Sequence, residues 1–167
     1  GENPDEIVKN YAEMFRKKYE EIKKAGGIYV AFIGIGVNGH IAFNEPETDL
    51  WTEEFILKIQ IDDVSVRQQY EDYKNHPNPE ARYKSLDDVP RNALTMSVSA
   101  ILLADKIFCM VPGKRKANAV KLTIEGEISD KVPASFLRLH EDVSLYIDMD
   151  SGSKLINKPE TKIKKGG

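Results

Sequence analysis

With a single cysteine, Cys109, no disulfide can form within the chain, and the apolar run Ile107-Phe108-Cys109-Met110 predicts a buried, inert thiol. Long hydrophobic runs are missing too. No stretch approaches the roughly 20 apolar residues of a membrane-spanning helix, and no signal-peptide pattern opens the sequence. A membrane partner is therefore not expected, and the cytoplasm is the expected location. An excess of charge is also lacking: 24 Lys and Arg stand against 27 Asp and Glu, a net charge of -3. A broadly basic face for nucleic acid is not expected, although a local basic pocket is compatible with this balance.

What is present suits one globular domain spanning 1–167. The chain has 167 residues, 41% hydrophobic and 31% charged, enough for a single core. From Asp5 to Lys24 the residues Ile7, Tyr11, Met14, Phe15, Tyr19 and Ile22 recur at helical spacing, entered through Asn3-Pro4 and left through Gly26-Gly27. The continuous apolar run Ile28 to Ile33 predicts a strand buried on both faces. Phe55 to Ile61 alternates and predicts a half-covered strand. A helix is expected over Asp62 to Tyr73, then a surface excursion from Lys74 to Glu80 with two prolines. Strands are expected at 93–98, 106–111 and 143–149, with helices at 99–104 and 113–125 and a Lys-rich tail at the end. Strands alternating with helices predict an α/β fold with a mainly parallel sheet.

Ligands of such folds gather at loops following the strands. The loop here reads Gly34-Ile35-Gly36-Val37-Asn38-Gly39-His40-Ile41-Ala42-Phe43-Asn44-Glu45-Pro46. Gly34, Gly36 and Gly39 spell a dinucleotide fingerprint, with Asp62 at a suitable distance. That motif needs a helix opening at its third glycine, and Asn44 and Pro46 leave no room for one. No cofactor is expected. The loop does hold a histidine and a carboxylate, His40 and Glu45. Histidine carries a proton near neutral pH, and a carboxylate beside it fixes its tautomer. The bland alternative is a histidine satisfying backbone groups and a glutamate capping a turn.

This loop closely resembles the signature of the glucosamine-6-phosphate deaminase/isomerase family. Further matching pieces follow in order: Asp88 to Met96, Gly113-Lys114-Arg115-Lys116-Ala117, Glu125-Gly126, Pro133-Ala134-Ser135 and Leu139-His140. The resemblance implies a Rossmann-like three-layer fold and conversion of glucosamine 6-phosphate and water to fructose 6-phosphate and ammonia. It assigns ring opening to His40, paired with Glu45. Many members have Asp where this chain has Asn38, which can still orient His40 by hydrogen bonding. Lys116 matches the lysine that holds substrate phosphate, and Arg82 and Arg67 compete for the part of a phosphate-binding arginine.

The family's Gly- and Thr-rich phosphate loop and its Asp-Glu-Tyr base segment have no match here, and Asp49, Asp62, Asp63, Asp87 and Asp88 lie in no matching motif. The expectation is the carboxy-terminal part of a longer isomerase domain, inactive by itself and prone to self-association, with a phosphorylated amino sugar as ligand and a homo-oligomer as the assembly. A 6-phosphogluconolactonase-like hydrolase and a non-catalytic sugar-phosphate sensor are the alternatives.

Overall fold

The computed structural model describes residues 3–157; the tail from 158 onward, with its lysines, lies outside the described residues. Helix α1 runs Pro4–Lys24, with Asn3 accepting from the Asp5 amide and Gly26 taking a positive φ of 72° after its end. Proline in the first turn and glycine past the last are the residues those backbone positions favour. The helix buries no residue completely, but Phe15 meets Tyr29 and Phe55 edge-to-face at 5.7 and 5.4 Å.

Three strands, β1 (Val30–Ile33), β4 (Lys106–Val111) and β5 (Val143–Ile147), form a parallel sheet in the order β1-β4-β5. Strands β2 (Ile56–Gln60) and β3 (Asn92–Met96) pair antiparallel with each other in a separate ribbon. Helices α2 (Asp63–Tyr73), α3 (Val98–Leu102) and α4 (Ala117–Glu125) complete the set, with a 3-10 segment at Pro133–Leu139. The chain is thus α/β with a mainly parallel main sheet, as its pattern predicts.

The core lies on one face of that sheet. Ala31, Ile107, Cys109 and Val111 point into it and pack with Ile101, Ala119, Val120, Phe136 and Leu137. The opposite face departs from expectation. Phe32 is 69% exposed and stacks at 5.2 Å on Phe108, with Met110 and Tyr146 also exposed nearby along the strands. Strand β1 is therefore buried on one face, not two, and the apolar run starts pairing only at Val30. A continuous apolar run marks a strand whose two faces are both apolar; it does not itself supply a cover for each.

The ribbon and α2 build a satellite core of Ile61, Val66 and Val89, ringed by Phe43, Ile59, Tyr70, Tyr83 and Leu86. The Asn44 side-chain amide joins the ribbon to the loop after β1, donating to the Ile41 and Met96 carbonyls at 2.9 and 2.8 Å. Between these two bodies lies the cleft described below. His140 is a clip on the far side: Nε2 sits 2.6 Å from the Ala104 carbonyl, and Nδ1 accepts the Asp142 amide.

Burial raises the Cys109 pKa to about 12. At pH 8 the thiolate fraction is then on the order of 10⁻⁴, and only the thiolate attacks. A thiol reagent added to the native chain at pH 8 will label Cys109 no faster than the protein opens, and will label it at once in denaturant. Rapid native labelling would place Cys109 at the surface.

Candidate active site

The loop after β1 is shaped around one ring. Gly36 donates its amide to the His40 carbonyl at 2.8 Å, and Gly39, at φ 91°, donates to the Gly36 carbonyl. This tight return lays the His40 imidazole against Gly36, where a Cβ would overlap three ring atoms. Glycine is required there for space and at residue 39 for conformation. Ala42, at φ 52°, carries a strained turn in the same loop, which Asn44 pins from both sides.

His40 is 6% exposed, and its Nδ1 lies 3.3 Å from Glu45 Oε2 and 2.9 Å from Ser65 Oγ. A carboxylate only accepts, so Nδ1 carries the proton and Nε2 keeps its lone pair. Asn38 ties the group together. Its amide nitrogen donates to Glu45 Oε2 at 2.8 Å and Asp62 Oδ2 at 2.9 Å, while its oxygen accepts the His40 amide. Burial alone would raise the Glu45 pKa, but hydrogen bonds from His40, Ser65 and Asn38 hold it below the usual value.

A cleft of about 320 Å³ opens beside the ring, lined by Gly34, Gly36, His40, Gln68, Pro112 and Lys116 among others. Lys116 stands at its other end, at the start of α4 after a 3-10 turn. Its ammonium contacts the neutral Gln68 Oε1 at 3.3 Å, and burial lowers its pKa. Among the described residues no carboxylate comes within ion-pair distance of it, whereas the adjacent Arg115 is paired with Asp72 at 2.7 Å. A half-buried ammonium with only a neutral partner gains by meeting an anion.

The structure thus brings together His40, Glu45, Asn38 and Lys116. Glu45 backs the imidazole and does not line the cleft. Neither Arg67 nor Arg82 lines it either. Arg67 is exposed on α2, and Arg82 donates Nε to the His76 carbonyl at 2.6 Å. The amide of Gly113 donates to Asp148 Oδ2 at 2.8 Å and so is not free for an anion. Sequence reasoning did not find Ser65 and Gln68. Their three-residue spacing on one face of α2 is the signal that was there, but only folding shows which face meets the loop.

No family model matches the chain. It is 39% identical over 150 residues to a glucosamine-6-phosphate deaminase from Thermoanaerobacter sp. (strain X514), covering 90% of this chain and 54% of that protein. A deaminase from Halothermothrix orenii is 37% identical over 152 residues, covering 91% and 58%. This chain is a relative of the glucosamine-6-phosphate deaminases. It spans about half the length of the curated deaminases it matches. Among solved structures, a monomeric glucosamine-6-phosphate deaminase of the NagB superfamily superposes with a TM-score of 0.74 at 30% identity, covering 92% of this chain and 56% of that one. A 6-phosphogluconolactonase from Trypanosoma brucei, with a TM-score of 0.59 at 17% identity, covering 93% and 56%, shows the same fold.

Within this deaminase relative, Asn38 sits between two carboxylates that both accept from it. Asn38→Asp would place a third carboxylate against them and delete both donated hydrogen bonds. The new carboxyl would have a raised folded pKa, so its destabilisation is absent below about pH 4 and grows as pH rises above that unfolded value. Denaturant melts of both proteins at pH 4 and pH 7 should show a deficit of about 2 kcal/mol or more at pH 7 and a smaller one at pH 4. Equal deficits at both values would contradict this account of the cluster.

Proposed function

We propose that the chain carries the ring-opening and phosphate-binding part of a glucosamine-6-phosphate deaminase, which couples aldose-to-ketose isomerisation to loss of ammonia. The observation that carries the reading is a single cleft with His40 Nε2 at one end and the Lys116 ammonium at the other. A sugar phosphate fits this polarity. Its phosphate meets Lys116, with Gln68 beside it, and its ring oxygen comes to His40. Nε2 takes the proton of the anomeric hydroxyl and delivers it to the ring oxygen as the ring C–O bond breaks and the C1 carbonyl forms, and Glu45 stabilises the imidazolium that exists between the two transfers.

The next step needs a base at C2. Cleft-lining residues include no Asp or Glu, and Glu45 is occupied behind the ring. The 167 residues alone therefore bind sugar phosphate weakly and release no ammonia. The bare sheet face carrying Phe32, Met110 and Tyr146 supports self-association of the chain.

The deciding experiment is an ammonia-release assay with glucosamine 6-phosphate on the protein at the length of its relatives, with 6-phosphogluconolactone as the rival substrate. Ammonia release without lactone hydrolysis is expected. Lactone hydrolysis alone would favour a hydrolase, and binding without either reaction a sensor. In the active protein His40→Ala should lower kcat by roughly two to four orders of magnitude with little change in KM, as for a lost general acid-base group. Unchanged turnover would remove His40 from the chemistry.

Lys116→Met should raise KM for the phosphorylated sugar about tenfold or more and leave an unphosphorylated analogue nearly unaffected. Equal effects on both would assign Lys116 to packing.

A further inference from the structure

Helix α2 touches the site where nothing in the loop itself can. Asp62 caps it, accepting the Ser65 amide at 2.6 Å, and also accepts from Asn38. This cap fixes the first turn of α2 against the loop, so Ser65 has little freedom to move away. The Ser65 side chain is fully buried, with Oγ 2.9 Å from His40 Nδ1 and 3.5 Å from the Asn38 amide nitrogen. Ser65 also helps hold the Glu45 pKa below its usual value.

The distances order these contacts. Nδ1 is closer to the serine oxygen than to the carboxylate, 2.9 against 3.3 Å. The shorter contact is an ordinary hydrogen bond, and the longer one is at the limit of useful geometry. A hydroxyl oxygen can accept from the imidazole N–H. Ser65 Oγ is then the nearer acceptor of the Nδ1 proton and Glu45 the more distant one. Without the hydroxyl, the imidazole would keep one long contact, and a ring flip or tautomer exchange would become competitive.

We propose that Ser65 is a positioning residue for His40, holding the imidazole with its proton on Nδ1 and its Nε2 lone pair turned to the cleft. This rests on the deaminase reading only for its consequence, since the geometry of the ring can be read without any substrate. Removal of the hydroxyl lowers turnover without removing any atom that touches the sugar. Threonine keeps the hydroxyl and restores the arrangement.

The test is nitrogen NMR of the imidazole in the 167-residue chain at pH 8, comparing the parent with Ser65→Ala, Ser65→Cys and Ser65→Thr. The parent and the threonine variant should show one protonated and one bare nitrogen, with Nδ1 protonated. Alanine and cysteine should shift both resonances toward the averaged values of exchanging tautomers. If alanine does not fold, cysteine carries the comparison, because it fills the same volume with a much weaker hydrogen-bonding group. Parent-like resonances in every folded variant without the hydroxyl would overturn the proposal. In the protein at its relatives' length, kcat should fall about tenfold to a hundredfold for alanine with KM unchanged, and recover in threonine. Altered resonances with no ammonia release from the parent would leave the positioning role intact and sink the deaminase reading instead.

Discussion

The close approach of the His40 ring to Gly36 is the constraint on which the site depends. A side chain at residue 36 and this ring cannot occupy the same space. Once the ring is there, the chain must return within four residues, which sets the 2.8 Å bond from the Gly36 amide to the His40 carbonyl and the positive φ of Gly39. The rest of the loop follows from that return. Ala42 is forced into the left-handed region, Asn44 is drawn inward to satisfy the carbonyls this exposes, and Glu45 arrives behind the imidazole. Such strain survives only where surrounding contacts over-determine it.

Electrostatics decide what can stand behind that ring. Two carboxylates, Glu45 and Asp62, lie close enough to share one donor, and a buried pair of like charges is costly unless something neutral separates them. Asn38 does this with one NH₂ group, which donates to both and carries no charge itself. The family resemblance places Asp at this position in many members. In this chain Asn is what the surrounding carboxylates favour, so the difference is part of a consistent arrangement with Asp62 and not an isolated loss.

Much of this was legible from the chain alone. The helix over 4–24, strands β1, β4 and β5 and the loop with His40 and Glu45 follow from local periodicity, glycine placement and motif. Strands β2 and β3 were also legible as strands, but their pairing with each other was not. Alternation in Phe55 to Ile61 says that one face is covered; it cannot say by which sheet, and here the 31 residues between Gln60 and Asn92 return the chain beside it. Arg67 and Arg82 were drawn from the family resemblance and the fork-shaped chemistry of a guanidinium. A guanidinium's position depends on which face of α2 turns outward and on how the loop after it folds. The same unseen rotation hid Ser65 and Gln68, which face inward.

Taken together, the two ends of the cleft are built on opposite principles. At the His40 end the polar contacts are internal: Nδ1 of the imidazole is held by Ser65 and Glu45, Asn38 donates to Glu45, and Nε2 makes none of these contacts. At the Lys116 end the charge is left incomplete, because Gln68 supplies an oxygen but no negative charge. Burial lowers the pKa of that lysine, and an arriving dianion would raise it again, so binding and protonation of Lys116 favour each other. An anionic group is therefore drawn to one end while a neutral, proton-bearing part of the same molecule is left for the other. Helix α2 sets the separation of the two ends, because Ser65 and Gln68, three residues apart on it, touch His40 and Lys116 respectively. One rigid element thereby fixes both the orientation of the imidazole and its distance from the ammonium.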